Sequence, residues 1–125
     1  MDTGMNRAEA VARIKAEILA PDWQLNQRRA AALAKALRVV EQMLAARRSP
    51  RLVLEMARAA LAYHGRYGEA QGAVVLDFLK QALAQLIVFV EDDSIPAERA
   101  AEIFNKVHLA FLRLKRQLAT AVEVQ

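Results

Sequence analysis

The two histidines, His64 and His108, are the side chains whose type best suits chemistry near neutral pH. An imidazole titrates there and can serve as nucleophile, proton carrier or metal ligand. Helical bundles that hold paired iron place a glutamate three residues before a histidine, so that both ligands project from one helix face. Here those positions are Leu61 and Asn105, so that ligand pattern is absent. With no cysteine in the chain, thiolate metal sites, disulfides and a thiol nucleophile are excluded as well. HExxH, P-loop, GxGxxG and GxSxG motifs do not occur. The residues therefore assign no catalytic group, no cofactor-binding group and no metal ligand, and the chain is read as a non-enzyme.

His64 remains a candidate of another kind. It is followed by Gly65, Arg66, Tyr67 and Gly68. This spacing superficially resembles a histidine phosphotransfer domain, a small helix bundle whose exposed histidine has a Lys or Arg three residues on and a glycine four residues on. Gly68 fits, but the third position is Tyr67 and the basic residue is Arg66. Gly65 predicts a helix end at His64, whereas such domains hold their histidine in mid-helix. A helix C-terminus favours the charged imidazole, which is a structural reason for a histidine there. His108, between Val107 and Leu109, reads as an ordinary boundary residue.

Phosphate contact is the other chemistry to weigh. Eight basic residues (Arg28, Arg29, Lys35, Arg38, Arg47, Arg48, Arg51, Arg58) stand against Glu41 and Glu55 in the same stretch, while Glu91, Asp92, Asp93, Glu98 and Glu102 collect further on. Arg28 and Lys35 share a face but Arg29 and Arg38 point elsewhere, and Tyr63 and Tyr67 are not interleaved with them, so nucleic-acid binding is an alternative and not the expectation. No helix pairs a strongly basic face with an aromatic one, so a membrane-surface role is not expected. The split of charge could orient two copies of the domain or guide an acidic partner.

These side chains must be positioned by helices. Ala73 to Val90, AVVLDFLKQALAQLIVFV, is the most apolar run. At 3.6 residues per turn Val75, Leu79, Ala82, Leu86 and Val90 form one line, flanked by Leu76, Phe78, Leu83, Ile87 and Phe89. Asp77, Lys80, Gln81 and Gln85 interrupt it, so a buried helix is favoured over a membrane span, which needs roughly 20 mostly uninterrupted apolar residues. Val88 lies in the polar strip of this helix and Leu109 and Leu112 lie off the main seam of the last one, which makes these three the candidate interface residues.

Around that centre, Asn6 with Glu9 predicts a capping box, and Val11, Ile14, Ile18 and Leu19 an apolar stripe ended by Pro21. Trp23 and Leu25 are expected to plug the end of the bundle. Asn26 caps a second helix with Leu33, Leu37, Val40 and Leu44 at seam spacing. A third, with Ser49 as cap and Pro50 at its first position, carries Leu52, Val53, Met56, Ala60, Leu61 and Tyr63. The glycines of HGRYGEAQG predict the longest loop. Ser94 and Pro96 open the last helix, with Ala100, Ile103 or Phe104, Val107, Ala110 or Phe111, Leu114 and Leu118 inward and AVEVQ frayed.

At 125 residues with few glycines and prolines, the chain is read as one all-α domain, residues 1–125. Short connectors predict an antiparallel four-helix bundle of the second to fifth helices, with the additional N-terminal helix across one side. The opening MDTGMNRAEAVARIK lacks the pattern of a secretion signal, so a cytoplasmic setting is expected.

Glu17-Ile18-Leu19 and Asp22-Trp23 resemble the EIL-x-x-DW opening of a group of small all-helical bacterial domains. The resemblance implies a helical bundle, a bacterial origin and a regulatory or signalling setting, and carries over no activity and no site. The expectation is a non-catalytic protein–protein interaction module that homodimerises, with no cofactor and no identified small ligand. The alternatives are a phosphoacceptor using His64 and a nucleic-acid binder using Arg28 to Arg58.

Overall fold

The computed structural model describes residues 4–20, 25–44, 46–67 and 71–124, and within them the chain forms five helices and no strand. They are α1 (Arg7–Leu19), α2 (Gln27–Met43), α3 (Arg48–Tyr67), α4 (Gly72–Glu91) and α5 (Ala97–Val124). Trp23 and Gly68 lie outside the described residues.

Two of the expected caps are in place. Asn6 Oδ1 accepts from the Glu9 amide at 2.8 Å and Asn26 Oδ1 from the Arg29 amide at 2.9 Å, each satisfying an N–H that has no partner inside its helix. Glu9 reaches back to the Asn6 side-chain amide, 2.7 Å, closing the box through side chains. Elsewhere the ends differ from expectation. α3 starts at Arg48, so Ser49 and Pro50 sit inside its first turn, where a proline costs no helical hydrogen bond. It also runs on through Gly65 to Tyr67, three residues beyond the expected stop, because nothing in His64–Tyr67 forces the backbone out of helix. Ser94 caps nothing; its amide and hydroxyl both donate to Asp92 Oδ1, and the Pro96 carbonyl accepts the first bond of α5. The AVEVQ tail continues α5 as far as Val124, since it contains no helix breaker.

The helices pack as an antiparallel bundle. α1 lies against α2 and α4, α2 against α3, and α3 against α4, which closes a ring of four. α5 packs outside that ring along α3 and α4. The first helix thus covers one side of the bundle as expected and also completes the ring, a place the sequence pattern gave to the last helix. Cross-helix pairs give the directions. Lys15 pairs with Glu91, and Lys80 Nζ donates to the Ala20 carbonyl, so α1 and α4 run antiparallel. Tyr63 meets Phe111 while Leu52 and Met56 meet Phe104 and His108, so α5 runs parallel to α3.

α4 is the buried centre. Val75, Leu76, Phe78, Leu79, Ala82, Leu83, Leu86, Ile87 and Phe89 are all buried there, as its apolar face requires. It is the one helix among the described residues long and apolar enough to cross a membrane by length and composition, and half of that window is covered by its neighbours. α2 contributes Leu33, Leu37 and Val40, and Leu44 at its C-cap completes the expected seam. Two positions, Leu19 and Leu52, differ from the pattern. Leu19 is 80% exposed, and Ala10 and Glu17 take the inward face of α1 with Ile14. Leu52 is exposed at the edge of α3, where Leu54 and Ala57 are buried instead. On α5, Ile103 points inward and Phe104 lies half-buried beside it.

Candidate interaction surface

α3 and α5 run side by side, and the two helices present apolar residues toward the seam between them at helical spacing. From α3 come Leu52, Met56 and Ala59, and from α5 come Phe104, His108 and Phe111. Residues four and three apart share a helix face, so each set forms one wall. The result is an open groove of about 280 Å³ with Glu55 at its rim. Its aromatic side is ordered by ring contacts. The His108 imidazole stacks on Phe104 with centroids 5.4 Å apart and an interplanar angle of 19°, and Phe111 lies between Tyr63, at 6.1 Å, and Phe78, at 5.4 Å. His108 is therefore part of an aromatic wall, which its placement between Val107 and Leu109 did not suggest. The spacing of four and three in Phe104, His108 and Phe111 was the available signal, a second stripe beside the core stripe of the same helix.

The three candidate interface residues are all exposed: Val88 at 41%, Leu109 at 55% and Leu112 at 40%. The structure brings two of them together. Leu109 and Leu112 are one turn apart on the outward side of α5, with Leu112 next to Phe111 at the lip of the groove. Val88 lies on the α4 side of α5. Gln81 faces Val107 and Ala110 across α4 and α5, and Val88 is two turns further along, roughly 10 Å at 1.5 Å per residue. That sets it beside the first turn of α5, away from the leucine pair.

His64 is half-buried in the last turn of α3, with helix on both sides of it. Burial lowers its pKa below the ordinary 6.5, so the neutral imidazole is favoured. The basic set from Arg28 to Arg58 is divided among partners. Arg29 binds Glu17, Arg51 and Arg58 bind Glu41, and Arg47 donates to the Phe89 carbonyl at 3.4 Å with its guanidinium over the Phe89 ring. Arg28, Lys35, Arg38 and Arg48 stay exposed. The Arg58 hydrogen bond, 2.6 Å, holds the Glu41 carboxyl below its usual range. Partial burial works against the charge on Arg58, but Glu41 and Glu55 outweigh it and raise its pKa.

Glu17 is the one buried charged residue among the described ones, 3% exposed. Arg29 approaches it with Nη2 at 2.8 Å and Nε at 3.3 Å, and Arg13 lies at 3.7 Å. Among the described residues no buried side-chain nitrogen or oxygen lacks a hydrogen-bond partner, and no three His, Asp or Glu side chains are placed to hold a metal ion. The polar groups that are buried are thus engaged with one another. The chain matches no protein-family model, and no curated protein or solved structure is significantly similar to it.

Proposed function

We propose that this chain is a non-catalytic helical interaction module that associates with a second copy of itself through the outward side of α5. The observation that carries this reading is the placement of exposed Leu109 and Leu112 on one face of α5, continuous with the groove walled by Met56, Phe104, His108 and Phe111. Single exposed leucines are ordinary, whereas apolar side chains that adjoin along two helices form a patch that gains from being covered. A regulatory or signalling role, in the setting that the EIL-x-x-DW opening suggests, suits a bundle of this kind.

The test is the mass in solution at about 10 and 100 µM, concentrations that populate a dimer of micromolar Kd. The expected result is a dimer that the double variant L109D/L112D converts to a monomer with unchanged helix content, since neither side chain belongs to the core. Val88→Asp, on the α4 side, is expected to leave the dimer intact. A wild-type monomer throughout this range overturns the reading.

A further inference from the structure

The outward face of α5 carries charge in a definite order. The exposed residues on it include Glu98, Ala101, Glu102 and Asn105, then Leu109 and Leu112, then Arg113 and Arg116, with Arg99 and Lys106 exposed on one flank of the acidic end. Residues 98, 105, 109, 112 and 116 follow one another at spacings that keep them on one side of a helix, with 102 and 113 at its edge. Acid lies at the N-terminal end, apolar side chains in the middle, and base at the C-terminal end. Acidic Asp92 and Asp93, both exposed in the preceding turn, extend the first block.

A pattern of this kind distinguishes the two ways in which α5 can meet a copy of itself. In a parallel pair, Glu98 and Glu102 of each chain face the same residues of the other, and Arg113 and Arg116 do likewise, so both ends repel. In an antiparallel pair the acidic end of each helix lies along the basic end of the other. The midpoint between Glu98 and Arg116 falls at Val107, and that between Glu102 and Arg113 beside it, so the charges register when the two-fold axis passes at the level of Val107, between Asn105 and Leu109 on the outward face. A two-fold contact must be self-complementary, and this face is.

We infer, building on the self-association reading above, that two copies pair through α5 in antiparallel register about a two-fold axis at the level of Val107, between Asn105 and Leu109 on the outward face, with Glu98 and Glu102 of each copy against Arg116 and Arg113 of the other. In that register Leu112 of the second copy comes level with Glu102, between Ala101 and Asn105 and next to Phe104, so it covers the Phe104 end of the apolar groove that the first copy presents. The reverse contact is identical by symmetry. Leucines and groove supply the buried apolar surface, while the charged ends select the direction and suppress the parallel alternative. Glu102 also bonds Arg99 on its own helix at 3.1 Å, but an exposed pair three residues apart is weak and competes little. The contacts between the charged ends are exposed, so the association weakens as salt rises.

Sedimentation equilibrium on the full chain tests this with three proteins: wild type, E98K/E102K, and the quadruple variant E98K/E102K/R113E/R116E. Far-UV circular dichroism checks that each is folded, as all four positions are exposed. The expected result is a dimer for wild type, a Kd at least tenfold weaker for E98K/E102K, and recovery in the quadruple variant, in which the acidic and basic ends are exchanged. A wild-type dimer that E98K/E102K leaves unchanged overturns the antiparallel α5 pairing and leaves self-association standing on another surface. A dimer weakened by E98K/E102K and not recovered by the quadruple variant also overturns the register. A monomeric wild type overturns both the pairing and the reading it rests on.

Discussion

Glu17 holds α1 to the start of α2 through a carboxylate that is almost wholly out of water and is neutralised by Arg29, with Arg13 in support. Removing one partner of such a pair leaves an uncompensated buried charge, which costs more than the pair itself contributes. Arg29→Met is therefore expected to lower stability by about 3 kcal/mol in urea denaturation, and E17Q/R29M to recover most of that loss. Glu17 is also the first residue of the EIL-x-x-DW opening, and its place in the fold gives that residue a structural reason. Its burial was partly legible, since Ala10, Ile14 and Glu17 follow at spacings of four and three. Its partner was not, because Arg29 lies on another helix beyond Pro21 and no local spacing connects the two. His64 gives a second prediction at this scale. Its pKa is lowered by burial, so the unfolded chain binds the proton more readily than the folded one. The stability linked to His64 is thus complete above its ordinary pKa of 6.5 and falls as pH drops through that value toward the lower folded pKa. His64→Gln is expected to flatten the decline in melting temperature between about pH 7.5 and 5.5, which thermal scans in matched buffers would measure.

The helix ends show which parts of an element are set locally. Asn6 and Asn26 were readable as caps because a cap is a contact between residues three apart, and each lies where its sequence put it. Asn26→Ala is expected to cost about 1 kcal/mol by chemical denaturation. Gly65 and Pro50 were misleading for a related reason, in that both residues permit a boundary without imposing one. Gly65 sits inside α3 with a helical backbone, and a Cβ there would meet nothing within 4 Å. Gly65→Ala should accordingly raise stability by about 0.5–1 kcal/mol, through helix propensity and a less flexible unfolded chain. Were the helix to end at this glycine in a left-handed turn, the same substitution would lower stability instead, so the sign of the change checks the course of α3. On α5, periodicity revealed the core stripe of Ala100, Ile103, Val107, Leu114 and Leu118. It left Phe104 and Phe111 as alternatives to that stripe, because a helix with two apolar faces has no single direction for a periodic reading to find.

At the scale of the whole molecule, the all-α bundle of five helices was legible from composition, from the apolar run in α4 and from short connectors. Leu79 and Leu86 are fully buried, and Leu79→Ala is expected to destabilise the fold by about 3 kcal/mol, as a truncation that leaves a cavity in a surrounded helix does. The order of the helices around the core was less legible. α1 and α5 are both amphipathic, both carry an apolar stripe suited to a core, and either could close a ring with α2, α3 and α4. The outcome shows in cross-helix partners such as Lys15 with Glu91 and Lys80 with the Ala20 carbonyl, which belong to no local pattern. The exposed leucines were identified from sequence as off-seam positions, whereas the groove beside them exists only once α3 and α5 run parallel.

Closing the ring through its first helix has a bearing on how the protein is made. The inward face of α1 docks on the fourth helix, the last of the ring to leave the ribosome. At about 5–20 residues per second, Ile14 waits several seconds for its final neighbours, with only α2 for shelter. During synthesis the pair of α1 and α2 is thus a sticky intermediate, and the uncovered face of α1 is a surface that a chaperone would shield.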